Sequence, residues 1–172
     1  MDKPLIVTLQ LEETAKRFFN EQRKKYFPAH INYLEAHLTL FHALPPGQKI
    51  IVETIQALSK RKAINLEITG LHNIGNGVVY TVASAELQSI HASMQHSFQP
   101  FLNGKDKQKL WPHITVQNKV TAFKSAELFK KLSQDFMPFS IRATGFSIFV
   151  YEGGPWQHLK DFPFENDSYL GL

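Results

Sequence analysis

The chain has 172 residues, 43% apolar and 12% aromatic, enough to fill one core or two small lobes sharing one, which excludes a disordered chain. Nineteen Lys and Arg against fifteen Asp and Glu leave a net charge of +4, a balance that permits an anionic ligand without demanding one. No cysteine is present, which excludes disulfides, cysteine-based zinc sites, iron–sulfur clusters and thiol nucleophiles and accords with a reducing, cytoplasmic setting.

Residues 5–11 alternate and predict a strand; Glu12-Glu13 follow too soon for a signal-peptide core. Ala15, Phe18, Phe19 and Tyr26 then fall at helical spacing, with Lys16, Arg17, Arg23 and Lys24 placed on the opposite, solvated face. A Pro28-containing loop leads to a strand from Glu35 to Leu44, ended by Pro45-Pro46-Gly47. Ile50, Ile51, Ile55 and Leu58 predict a second helix, and Ile64, Leu66 and Ile68 share one face of the next strand, read from Ile64 to Leu71. Asn73-Ile74-Gly75-Asn76-Gly77 is a turn or a link between lobes, after which the order begins again. Strand 77–83, a helix carrying Leu87, Ile90, Met94, Phe98 and Phe101, strand 111–116, helix 123–136 and strand 139–143 follow. A hairpin of 146–151 with 156–164, turned at Glu152-Gly153-Gly154-Pro155, closes the chain. No apolar run approaches the ~20 residues of a membrane helix, so a soluble domain with no membrane partner is expected.

Each half therefore reads strand, helix, strand, helix, strand, over approximate halves 4–74 and 77–172 of a single domain spanning 1–172. In both halves the middle strand carries histidine, any residue, threonine: His37-Leu38-Thr39-Leu40 and His113-Ile114-Thr115-Val116. Alternation puts Leu38 and Leu40 on one face and His37, Thr39 and Phe41 on the other; Ile114 and Val116 likewise oppose His113, Thr115 and Gln117. With an apolar residue required after each polar one, chance supplies only about 0.08 such tetrads in this composition, so two at matching places carry a signal. His91-Ala92-Ser93 has similar chemistry but falls in a helix, where residues two apart cannot share a ligand.

Two strand histidines could be satisfied polar residues on a wet face, or metal ligands, although no third histidine or carboxylate stands at a telling spacing. Brought together across a pseudo-twofold axis, two imidazoles and two hydroxyls suit a phosphodiester. One imidazole would take a proton from the attacking oxygen and the other give one to the departing oxygen, while the hydroxyls bind non-bridging oxygens. No metal and no cofactor is then required.

With these residues in place, the chain resembles the two-histidine phosphoesterase superfamily, in its 2′-5′ RNA ligase-like or cyclic phosphodiesterase branch. The resemblance rests on the bilobal order, the two tetrads with Trp111-Pro112 before the second, and the aromatic C-terminal hairpin. It implies an α+β fold of duplicated β-α-β-α-β units, with two antiparallel sheets facing across a central cleft. It also implies a metal-independent enzyme that opens a 2′,3′-cyclic phosphate, on an RNA terminus or nucleotide, to a 2′-phosphomonoester; a monomer is expected. Some members of that family also run the reverse ligation to a 2′-5′ bond. His37 and His113 would be the acid–base pair, and Thr39 and Thr115 the phosphate-binding hydroxyls. Many RNA-acting relatives place an arginine just beyond the second motif; this chain has Gln117-Asn118-Lys119.

Phe41 and Gln117, each four residues beyond its histidine, are expected to stack a base and read its edge. Alternation turns His42 away from the cleft, and His30, His72, His96 and His158 have no motif context. Tyr80, Tyr151 and Trp156 are cleft candidates only through the placement of their strands. A non-catalytic module binding RNA ends or nucleotides in the same cleft, or a protein-interaction platform, are the competing readings; tandem RNA-recognition modules would need an aromatic signature that is absent.

Overall fold

In the computed structural model, which describes residues 3–165, apolar alternation and helical stripes resolve into seven strands and four α-helices. They run β1 (Leu5–Leu11), α1 (Glu13–Tyr26), β2 (Leu38–Leu44), α2 (Lys49–Leu58), β3 (Ile64–Asn73), β4 (Val78–Ala83), α3 (Ala85–Phe98), β5 (His113–Gln117), α4 (Ala122–Gln134), β6 (Phe139–Tyr151) and β7 (Trp156–Pro163). Positions 1–2 and 166–172 of the expected domain lie outside the described residues. Ser84 and Thr121 start α3 and α4 by accepting the amides of Leu87 and Lys124 on their hydroxyls, which satisfies donors the helices cannot pair internally.

The fold is mixed α and β, with every strand pair antiparallel. Instead of two separate sheets, one hydrogen-bonded path runs β2-β1-β6-β3-β4-β5, with β7 also on β6. The join is β6, where the sequence suggested a strand ending at Ala143 and another starting at Phe146. The ladder continues through Thr144 and Gly145, so Phe139–Ala143 pair with β3 and Ala143–Val150 with β1. Gly145 is needed there because a Cβ would meet the carbonyl oxygen of Phe162 on β7 at 2.8 Å. Strand order is symmetric under exchange of β1 with β4, β2 with β5 and β3 with β6, each half contributing its third strand to the other. The 73–77 segment is the turn of the β3–β4 hairpin, with Gly75 at φ 94°.

The core is continuous across both halves: Val7, Leu9, Phe19, Leu38, Ile55, Leu66, Phe98, Ile114 and Phe146 are all buried in it. In β3 the expected alternation holds, with Ile64, Leu66 and Ile68 inward and Asn65 and Glu67 outward. Among the described residues no helix is long and apolar enough to cross a membrane.

Candidate active site

β2 and β5 are the two ends of the sheet path, yet they approach one another, so the sheet curls until the two histidine–threonine motifs meet. Leu38, Leu40, Ile114 and Val116 are buried, and His37, Thr39, His113 and Thr115 lie half-buried on the opposite face, as alternation requires. Thr39 of one motif and His113 of the other line the same cavity.

The two imidazoles are held alike. His37 Nδ1 bonds the Glu35 carbonyl at 2.7 Å, and His113 Nδ1 bonds the Trp111 carbonyl at 2.8 Å. A carbonyl only accepts, so both Nδ1 atoms carry hydrogen and donate. Both Nε2 atoms, and the hydroxyls of Thr39 and Thr115, have no protein partner among the described residues. Each ring also rests on an indole: His37 on Trp156 at 5.2 Å between centroids, His113 on Trp111 at 4.5 Å.

Each half's first helix fixes the other half's motif strand. From α1, the Arg23 guanidinium donates through Nη1 to the Thr115 carbonyl at 2.9 Å and through Nε to Asn32 Oδ1 at 3.1 Å. One turn earlier on the same face, Asn20 Oδ1 accepts the Ala36 amide at 2.6 Å, so one helix holds both motifs. From α3, His91 Nε2 donates to the Leu40 carbonyl at 3.0 Å and its ring stacks on Phe41. His91 is thus a buried residue whose hydrogen-bonding demand is met by the Leu40 carbonyl. The solvated face expected for Arg23 is corrected: Ala15, Phe19 and Arg23 recur at four-residue intervals and form the buried stripe of α1, while Lys24 and Lys25 are exposed. That spacing was the available signal.

Alternation fails just past each motif, at a bulge repeated in both halves. Val7 and Thr8 pair with Phe41 and Thr39, leaving Leu40 extra; Val78 and Val79 pair with Gln117 and Thr115, leaving Val116 extra. The side chains beyond therefore exchange faces. Phe41, expected to stack a base, is fully buried between His91 and Phe98, and Gln117, expected to read one, is buried with its Oε1 unpartnered. Neither presents its side chain to the cleft. Conversely His42 is exposed and lines the cavity shared by Thr39 and His113, opposite to its expected direction.

Electrostatics shift both imidazoles toward the neutral form. Burial pushes His37 down to about 4, helped by the positive charge of Arg23 and by His113 and His42, against the bond to Glu35, which raises it. His113 is also lowered, chiefly by burial and then by Lys105 and His42, with the Trp111 carbonyl opposing.

Beside His37 a cavity of about 450 Å³ is lined by Tyr33, Phe149, Trp156, Lys16, Gln10 and the His158–Asp161 pair among others. His158, read as lacking context, lies here, its Nε2 2.7 Å from Asp161 Oδ1. Asp161 also accepts from Ser147 and Gln10, and these bonds hold its carboxyl below the usual range against the opposing effect of burial. Of the aromatic candidates, Trp156 borders the site, Tyr151 lines an adjoining cavity with Arg23 and Asn118, and Tyr80 is buried with its hydroxyl donating to Gln22. His30 and His96 are exposed, and His72 packs edge-on against Trp111. Among the described residues no three His, Asp or Glu side chains are grouped as metal ligands.

The family model of the 2′-5′ RNA ligase superfamily matches residues 11–155. No curated protein matches the sequence. Similar folds include TT0787 of Thermus thermophilus, 14% identical with a TM-score of 0.62, covering 94% of this chain and 97% of that one. They also include E. coli LigT complexed with 3′-AMP, 15% identical with a TM-score of 0.56, and complexed with NADP+, 16% identical with a TM-score of 0.57. Both of these cover 95% of this chain and 99% of LigT.

Proposed function

Because the chain belongs to the 2′-5′ RNA ligase superfamily, we propose that it is a metal-independent phosphodiesterase that opens a 2′,3′-cyclic phosphate to a 2′-phosphomonoester. The observation that carries this reading is the matched pair of tautomers: two Nε2 atoms and two threonine hydroxyls have no partner among the described residues where the motif strands meet. E. coli LigT, which shares the fold, was crystallised with 3′-AMP and with NADP+, which supports a nucleotide or RNA terminus as the substrate. The aromatic and hydrogen-bonding walls of the cavity beside His37 suit the nucleoside.

In this mechanism His37 is the base, since its lowered pKa of about 4 keeps Nε2 unprotonated at neutral pH. His37 Nε2 takes a proton from water as the water oxygen bonds to phosphorus. The bond from phosphorus to the 3′-oxygen breaks, and protonated His113 Nε2 gives its proton to that oxygen. The 2′-phosphate and the 3′-hydroxyl result, and solvent returns the proton from His37 to His113. Thr39 and Thr115 donate to the non-bridging oxygens, where charge gathers in the transition state. A 5′-hydroxyl in place of water would give a 2′-5′ bond by the same steps.

The test is incubation of cyclic-ended RNA and 2′,3′-cyclic nucleotides with chelator, followed by assignment of the phosphate position. A 2′-phosphate product is expected, with kcat/KM reduced roughly 10²–10⁴-fold in His37→Ala and in His113→Ala. The kcat/KM profile should be bell-shaped and centred on the acid side of neutrality, because the base is depressed to about 4 and the acid also lies below its ordinary value of 6.5. Full activity in both single variants, or binding of the cyclic phosphate without turnover, would overturn the proposal.

A further inference from the structure

The bulge in β2 that buries Phe41 also creates something on the other face. His42 projects into a cavity of about 140 Å³ that has Thr39 and His113 on one wall and Lys105, Lys109 and Trp111 around it. That space is large enough for a phosphate group. His37 and Thr115 do not line it, so it adjoins the reacting centre without coinciding with it.

The groups within this cavity are arranged for an anion. Among the described residues its one carboxylate is Asp106, which is buried with its oxygens engaged: it accepts the amides of His42 at 2.8 Å and Ala43 at 2.9 Å, and faces His42 Nδ1 at 3.3 Å. Successive amides can both reach it because the β1–β2 register slips a second time between Phe41 and Leu44. These bonds dock the 3-10 turn Gly104–Lys107 on the edge of β2 and bring Lys105 to the cavity. Asp106 fixes the His42 ring by accepting from Nδ1, so Nε2 is the atom left to a ligand. Lys105 and Lys109 are exposed and have no carboxylate partner among the described residues.

We propose that this cavity is a subsite for a second phosphate of the substrate, held by His42 Nε2 and Lys105, which makes a phosphorylated nucleotide or RNA end preferred over a bare nucleoside cyclic phosphate. The proposal rests on the phosphodiester reading of the adjoining cleft. A phosphate at His42 completes a carboxylate–imidazole–phosphate chain, with one proton bridging Nε2 and a phosphate oxygen.

Binding is measured calorimetrically at fixed ionic strength for adenosine 2′-monophosphate and adenosine 2′,5′-bisphosphate. The unaltered protein should bind the bisphosphate about 10-fold or more tightly, the size expected of charge-assisted hydrogen bonds. That ratio should collapse toward one in His42→Ala and fall in Lys105→Ala. It should persist in Lys107→Ala, since Lys107 is exposed on the same turn but does not line the cavity. A ratio near one in the unaltered protein, a ratio retained in both His42→Ala and Lys105→Ala, or an equal fall in Lys107→Ala would overturn the subsite. Turnover of adenosine 2′,3′-cyclic phosphate is followed in parallel: its absence with the preference intact removes the hydrolase reading and leaves the subsite standing.

Discussion

Arg23 shows how much one side chain contributes here. Its guanidinium lies beneath β5, hydrogen-bonded to the Thr115 carbonyl and Asn32 and 4.1 Å from the Phe27 ring centre, and burial brings it down to about 10. The helical spacing from Ala15 and Phe19 is what turns it inward. Its positive charge is also one of the causes that depress His37. Replacing Arg23 by Met leaves the Thr115 carbonyl without that donor and should cost about 1.5–3 kcal/mol in urea unfolding. It should also raise the His37 pKa, so the acid limb of kcat/KM moves to higher pH. An unmoved limb would show that the Arg23 charge does not act on His37.

At the scale of elements, the informative feature is the matched pair of bulges. Before each bulge a strand of period two offers imidazole and hydroxyl to the cleft; after it the same strand sends Phe41 or Gln117 into the interior. At the second bulge β4 starts so close to β5 that a Cβ on Gly77 would lie 2.0 Å from the Gln117 carbonyl oxygen and 2.8 Å from Asn118 Cα. Neither neighbour is a flexible side-chain end, so the strands must part. Gly77→Ala should destabilise the fold by about 1–3 kcal/mol, read from chemical denaturation, and weaken phosphate binding because the displaced strand carries Thr115. Unchanged stability would mean that the β4–β5 edge yields without cost. The crossed helices, α1 onto β5 and α3 onto β2, explain why the halves cannot separate without breaking the site.

The whole molecule stores three histidines, His37, His91 and His113, below their ordinary pKa of 6.5, in each case chiefly through burial. Between about 4 and 6.5 the unfolded chain binds protons that folded His37 refuses, so stability falls as pH drops across that window. The denaturant midpoint should therefore decline steadily from pH 7 to pH 4, and less so in His37→Gln. A flat profile would contradict the lowered pKa of folded His37. In the proposed mechanism acidity thus acts in two ways: it favours the protonated form of His113 while it lowers the stability of the fold.

The sequence by itself determined the order of strands and helices, the two histidine–threonine motifs and the face on which each motif stands. These depend on periodicities of two and 3.6 residues, which are local. Only the tertiary structure decided where that periodicity stops. A bulge is a mismatch between partner strands, so the fates of Phe41, Gln117 and His42 were invisible in β2 or β5 alone. The same holds for the join through β6, where a glycine that reads as a break is a point of close approach to β7. Asp106 and His42 are 64 residues apart, and Arg23 and Thr115 are 92 apart. Such pairs meet because the curled sheet brings its two ends together, a condition set by packing across the whole chain.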